Sequence, residues 1–336
     1  MAERFAVDTE ARADLGVTVY RLEDRESGLQ ATVVPAWGST LLSLQAPIRG
    51  RPLEFMLMAP PEEIRRAPSS YGTPVLFPFP NRIRHARFTF AGRTYHLPVN
   101  HSHGHHIHGL VRDLPWRVTA TATQGSASLT TEIAHTDHPV FAECYPFPFT
   151  LALIFSLRGP RLEITADVHN YGEHGMPMGF GLHPYFALPI VPEGRRQDCL
   201  IQIPAGHQWR LDDELLPTGE VIPVPPERDF RQLRPLDEVY LDDVYTRLER
   251  LEDGSSLCRL VDPQASAQVA VRADSQFREW VVYAPPHRPT LCFEPYTCPT
   301  DAPNLQERGL DAGLIVVPPG GHWTGTVWFE VGPATL

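Results

Sequence analysis

Glu294 ends an apolar stretch, 290–293, inside Cys292-Phe293-Glu294-Pro295-Tyr296-Thr297. A carboxylate there is partly desolvated unless paired, which raises its pKa and suits it to general-base work. The alternative is an ion pair with a buried arginine. In Gly179-Phe180-Gly181-Leu182-His183-Pro184-Tyr185-Phe186, glycine and proline hold a tight backbone around one histidine flanked by aromatics, whose faces stack on the C–H faces of sugars. The alternative is a core turn in which His183 is only hydrogen-bonded. Phe77-Pro78-Phe79-Pro80-Asn81-Arg82-Ile83 offers an amide and a planar guanidinium, a donor-rich pair suited to a ligand rich in hydroxyl groups. Otherwise it is a proline-rich turn with Arg82 in a surface ion pair.

Two further clusters are more ambiguous. His101, His103, His105, His106 and His108 crowd one segment. A strand would place His106 and His108 on one face, as a metal site or catalytic wall requires, but no carboxylates adjoin them in sequence, and an exposed loop is the alternative. Tyr240-Leu241-Asp242-Asp243-Val244-Tyr245 reads by itself as an acidic turn. No GxSxG, HExxH, P-loop or GxGxxG occurs, so nucleophile-plus-base hydrolysis, zinc-protease chemistry and nucleotide binding have no local support.

The elements that must position these groups are strands. Alternation with a period of two recurs at 116–123, 128–134, 149–157, 161–168, 200–203, 244–248, 257–261, 268–272, 279–283, 290–293, 314–317 and 324–331. Residues 87–90 and 93–97 flank Ala91-Gly92 as a hairpin. Helical periodicity is confined to short turns at 61–66 and 305–310, and 59–70 and 189–198 read as surface loops. Many short strands with 35 prolines in the turns predict an all-β, large antiparallel β-sandwich, with residues 1–336 forming one domain.

Composition narrows the function. The net charge of −11 argues against nucleic acid or an anionic membrane as partner. All 29 basic residues are arginine, which removes every chemistry that needs a lysine amine. Five scattered cysteines without a CxxC pair, and an N-terminus without an apolar signal segment, predict a soluble cytoplasmic protein.

Taken in order, these segments resemble the aldose 1-epimerase (galactose mutarotase) family. The resemblance rests on Asn81-Arg82-Ile83, the hairpin from Phe88 to Leu97 with Gly92 and Tyr95, His108-Gly109, His183 before Tyr185-Phe186, Asp242-Asp243, Glu294 with Asn304 ten residues on, and Pro319-Gly320 before a final strand. It runs from about Val17 to Val331. It implies the galactose mutarotase-like supersandwich, and interconversion of the α- and β-anomers of a free aldose. It implies Glu294 as general base, His183 as general acid, and Asn81, Arg82, His108 and Asp242 as sugar-binding residues. The chain differs from the usual family pattern at Leu110, where a second glycine is common, and at Val281, where a glutamine is common. Mutarotation is acid/base ring opening, so no cofactor and no metal is required, and the partner is a small-molecule sugar. His183 is expected to be held protonated beside an ionised Glu294, on a monomer or homodimer. The alternatives are a hexose-6-phosphate 1-epimerase, a non-catalytic sugar-binding protein on the same scaffold, and a cupin-like metalloenzyme using the histidine run.

Overall fold

Strict alternation marks the central strands of the largest sheet. Along Phe149–Arg158 and Arg161–Asn170 every second residue is buried, so each strand turns one face to the core. These two strands pair with each other, and Arg161–Asn170 pairs in turn with the C-terminal strand His322–Pro333. They lie in a nine-stranded sheet. The structure, a computed structural model, describes residues 3–335. Among them every paired strand is antiparallel, as the all-β reading expects.

The second large sheet runs Pro217–Pro223, Ala205–Leu211, Leu241–Leu248, Glu279–Ala284, Thr290–Tyr296, Gly181–Leu182 and Val75–Leu76, with Phe186–Ala187 also paired to Thr290–Tyr296. A third sheet is a five-stranded N-terminal meander from Phe5–Arg12 to Arg51–Glu54. One core joins all three: Leu29, Ala31 and Val33 of the meander belong to the same buried cluster as Leu151 and Leu153 of the first sheet and Leu291 and Phe293 of the second.

The N-terminal meander lies outside the strands read from the sequence. Its outer strand, Phe5–Arg12, is mostly half-buried or exposed and carries no clean alternation, although Leu29, Ala31 and Val33 do alternate in Leu29–Val34. The hairpin falls where expected, with Arg87–Phe90 paired to Arg93–His96. The helical turn expected at 305–310 forms three residues earlier, at Ala302–Glu307, because Pro303 is accepted in a first helical turn, where its missing N–H costs nothing. Pro139–Cys144 forms a further short helix. Asp242 and Asp243 are not in a turn but inside Leu241–Leu248, where pairing of Asp242 with Tyr283 and Asp243 with Val282 carries the ladder through them.

Alternation of burial is lost altogether in the strand beneath the site. All seven residues of Thr290–Tyr296 are buried. Leu291 and Phe293 face the main core, whereas Cys292, Glu294 and Tyr296 face the other way and are covered as well. That second covered face is the floor of the site.

Candidate active site

A polar cavity of about 280 Å³ opens over this floor, bordered by Asn81, Arg82, His108, His183, Asp242 and Glu294. All six site residues expected from the sequence therefore meet, although they are scattered from position 81 to position 294. Ile107, Tyr185, Tyr240, Val281, Tyr283 and Arg288 complete the wall. A larger cleft of about 570 Å³ lies elsewhere, between 51–58 and 187–194, but it is mainly apolar and brings together no proton-transfer groups.

Local chain geometry explains the placement of each group. Asn81 adopts φ 57°, a left-handed conformation that asparagine tolerates. Its Oδ1 accepts from the Arg82 backbone N–H at 2.8 Å and from Arg82 Nη1 at 2.9 Å, so the residue that turns the chain also aims the guanidinium. The Asp301 N–H donates to the Arg82 carbonyl at 2.9 Å, and Asp301 Oδ1 accepts from the Arg84 N–H at 2.9 Å. Asn304 in turn donates to Asp301 Oδ1 at 2.6 Å. Asn304 thus supports the arginine segment from behind.

His108 sits in the left-handed region at φ 66°, followed by Gly109 at φ 68°. A Cβ on Gly109 would stand 2.2 Å from the Phe77 carbonyl oxygen, so only glycine lets the chain lie this close. The His108 N–H donates to the Asn81 carbonyl at 2.9 Å and the Leu110 N–H to that of Phe77 at 2.7 Å. These bonds pull His108 out of the two-residue strand His106–Ile107, so His106 and His108 do not share a face. His106 lies buried with its ring nitrogens against the carbonyls of Pro98 at 2.7 Å and Gly109 at 3.1 Å. His105 Nε2 meets Glu214 at 3.0 Å, and His103 reaches the same carboxylate at 3.3 Å. The histidine run is thereby divided among different tasks, and only His108 borders the cavity.

His183 and Glu294 touch, with Nε2 to Oε1 at 3.3 Å. His183 is 6% exposed and Glu294 1%. The His183 ring stacks on Tyr185 at 4.4 Å and meets His108 edge-on at 5.1 Å. The other carboxyl oxygen of Glu294 accepts a hydrogen bond from the Tyr296 hydroxyl. Behind Tyr296 the chain again needs glycine: a Cβ on Gly181 would meet the tyrosine ring at 2.5 Å.

The electrostatics correct one expectation. His183 is not held protonated by a neighbouring charge. Burial pushes it down to about 3, and burial likewise pushes Glu294 well above the usual carboxylate range, with the Tyr296 hydrogen bond opposing. A dry site disfavours both charges, so the touching pair favours neutral imidazole beside neutral carboxyl, with one proton between them. Burial also keeps His108 neutral, well below the ordinary histidine range. Asp242 is raised by burial and drawn back by Arg82. Asp243 points elsewhere and pairs with Arg228.

Three buried nitrogens here have no protein partner among the described residues: Arg82 Nε, His108 Nδ1 and His183 Nδ1. Leaving such groups unmet costs about 1–3 kcal/mol each, and a polyhydroxylated ligand offers partners for those it can reach. Arg288 is the wall residue that sequence reading missed. It lies in the connection between two strands, with its guanidinium 4.9 Å from the ring centroids of both Tyr71 and Tyr185, and it donates to the Ser70 carbonyl. Its short segment, Pro286-His287-Arg288-Pro289, carries no pattern that distinguishes it from any proline-rich turn.

Among known proteins, the aldose 1-epimerase family model matches residues 18–330. An uncharacterized Escherichia coli protein, YihR, is 28% identical over 260 residues, covering 76% of this chain and 77% of its own length. Human galactose mutarotase is 26% identical over 215 residues, covering 62% of this chain and 59% of its own length. A galactose mutarotase-like protein from Clostridium acetobutylicum superposes with a TM-score of 0.88 at 21% identity, over 98% of this chain and 99% of its own. The galactose 1-epimerase of Lactobacillus acidophilus superposes with a TM-score of 0.76 at 17% identity, over 99% of this chain and 100% of its own. These likenesses establish the galactose mutarotase-like all-β fold.

Proposed function

The chain belongs to the aldose 1-epimerase family, and on that premise we propose that it interconverts the α- and β-anomers of a free aldose, with Glu294 as general base and His183 as general acid. The observation that carries this is the contact between His183 Nε2 and Glu294 Oε1, 3.3 Å apart at the floor of the polar cavity. The anomeric hydroxyl O1 and the ring oxygen O5 are bonded to the same carbon. Groups that serve both must therefore lie close together, and this pair does.

The proton balance closes within the pair. Glu294 takes the O1 proton, the O1 electrons form the C1 carbonyl, the C1–O5 bond breaks, and O5 receives a proton from His183. Rotation about C1–C2 presents the other carbonyl face. O5 then adds to C1 and returns its proton to His183, while O1 recovers one from Glu294. The working pair starts as imidazolium and carboxylate and ends as imidazole and carboxylic acid. Burial favours the second state, and sugar hydroxyls entering the cavity bring the first within reach by hydrogen-bonding the carboxylate. Arg82, Asn81, His108 and Asp242 would hold the remaining hydroxyls, and the ring of Tyr185 keeps His183 oriented.

Val281 is buried in the wall, in register with Glu294. It offers no hydrogen bond to a sugar, so the hydroxyl facing it is selected weakly. Arg288 favours a second reading, a hexose phosphate, since a guanidinium in the wall suits an anionic substituent. Polarimetry on freshly dissolved anomers, with neutral hexoses and pentoses beside a hexose 6-phosphate, separates the two. We expect at least one neutral aldose to equilibrate faster than in buffer. A response to the phosphate alone moves the substrate to the second reading, and no response at all leaves a sugar-binding protein. The unpaired state of all five cysteines supports a reducing, cytoplasmic setting.

Arg82→Ala should weaken sugar binding and lower turnover without unfolding the chain. Hydrogen bonds to a charged donor are worth about 1.5–3 kcal/mol, or roughly 10- to 150-fold in kcat/KM for one lost bond. Arg82→Lys should rescue poorly, because an ammonium cannot both hold Asn81 Oδ1 and present the rigid Nε edge. Steady-state kinetics with a thermal melt checks this, and wild-type constants in the lysine variant would remove Arg82 from the site.

A further inference from the structure

We propose that Cys292, together with His183 and Glu294, forms a binding site for a thiophilic divalent cation such as Zn²⁺, and that cation and sugar exclude one another. One ligand atom from each residue, an imidazole nitrogen, a thiol sulfur and a carboxylate oxygen, can be chosen so that all lie within 4.8 Å of one another, and all three side chains are buried. Cys292 and Glu294 are two residues apart on one strand, so sulfur and carboxylate project from the same face. Cys292 has no part in the proton transfers above.

The dimensions suit tetrahedral zinc. Bonds of about 2.0–2.3 Å place ligand atoms about 3.3–3.7 Å apart. The edge from His183 Nε2 to Glu294 Oε1 is already 3.3 Å, and the other edges need to close by at most about 1.5 Å. Charge suits it as well. Thiolate and carboxylate together neutralise a dication, so the loaded site carries no net charge into a dry floor. The imidazole ligates as the neutral ring, so it adds no charge. Cys292 ligates as thiolate, so the cation displaces a proton, and affinity should rise with pH. The mixed nitrogen, sulfur and oxygen set disfavours Mg²⁺ and Ca²⁺, which prefer oxygen alone.

The cation would occupy the imidazole nitrogen and carboxylate oxygen that serve the sugar, making it a competitive inhibitor and not a cofactor. The binding claim stands apart from the epimerase reading; the inhibition claim rests on it. The test is a Co²⁺ titration of the tag-free protein, followed by absorption, with Zn²⁺ as competitor. We expect one cobalt per chain with a thiolate-to-cobalt charge-transfer band, which Zn²⁺ abolishes. Cys292→Ser should lose the band and weaken Zn²⁺ by at least about 10-fold, the lower end of what even outer-shell partners cost a metal site. If that variant does not fold, His183→Asn must weaken the band in the same way. Cobalt bound without the band, a band unchanged in either folded variant, or no binding would overturn the site. In kinetics, Zn²⁺ should raise KM for the aldose with kcat unchanged, and dialysis against a chelator should leave turnover equal or higher. A loss of turnover after chelation would overturn the inhibitory role. Cobalt binding as described, with no aldose equilibrated by the metal-free protein, would instead sink the epimerase reading and leave the metal site standing.

Discussion

Glu294→Gln should lose about 100- to 10,000-fold in turnover, the usual worth of a positioned proton-transfer group. The substitution is close to isosteric, and the features that hold the side chain survive it. The amide oxygen still accepts from the Tyr296 hydroxyl, and the backbone register with Val281 is untouched. The fold has little reason to suffer, because burial already disfavours the charge on Glu294, and a neutral amide is no harder to bury. What disappears is the capacity to take the O1 proton. Anomer exchange followed by polarimetry or by magnetisation transfer, with a thermal melt beside it, is the check. Retention of most of the turnover with an unchanged melt would show that Glu294 is not the base.

His183→Asn should cost as much, and the combination should cost far less than the product of the two losses. The two groups act in one proton-transfer step, so removing either already removes most of what the pair supplies. The pH dependence gives a sharper expectation. A free histidine titrates near ~6.5, and an isolated acid/base pair of ordinary groups would lose activity through that point. Here the pair is working whenever it holds one proton. A second proton is resisted, because burial pushes His183 down to about 3. The retained proton is lost only above the ordinary carboxylate range, because burial raises Glu294. kcat/KM should therefore not fall as pH drops through ~6.5, and should be lost only in distinctly acidic solution. The alkaline limb marks loss of the shared proton, and both limbs belong to the pair and not to either residue. An acid inflection of kcat/KM near the ordinary histidine value would mean that His183 titrates as a solvated group, and that the dry pair does not exist in solution.

Residue types and chain order made much of this site legible in advance. The His108-Gly109 step entered only through the family resemblance, and the structure supplies its reason, since the Gly109 backbone lies against Phe77. Proline and asparagine around Arg82 mark a turn that presents a side chain, and Asn81 does turn and grip Arg82. An acidic residue at the end of an apolar strand marks a desolvated carboxyl, and Glu294 is buried. Arg288 gave no such mark. Its importance comes from which strands its connection joins and which rings it then lies over, Tyr71 and Tyr185, and neither is a local property. The N-terminal sheet escaped for a different reason: alternation reports one-sided burial, and a partly exposed outer strand such as Phe5–Arg12 has little of it.

What the residues determine alone, then, is the all-β architecture, the absence of lysine chemistry, and the set of polar groups available to a sugar, because strand period and side-chain chemistry are local. The tertiary structure decides which of those groups meet and in what state of charge. It separates Asp242 from Asp243 by the two-residue period of a strand, sending one to the cavity and the other to Arg228. It divides five neighbouring histidines, because a left-handed turn at His108 breaks their common face. And it reverses the expected charge on His183, since protonation depends on how much water remains around a ring, a quantity set by what packs around it, Tyr185 and the strand Thr290–Tyr296 included.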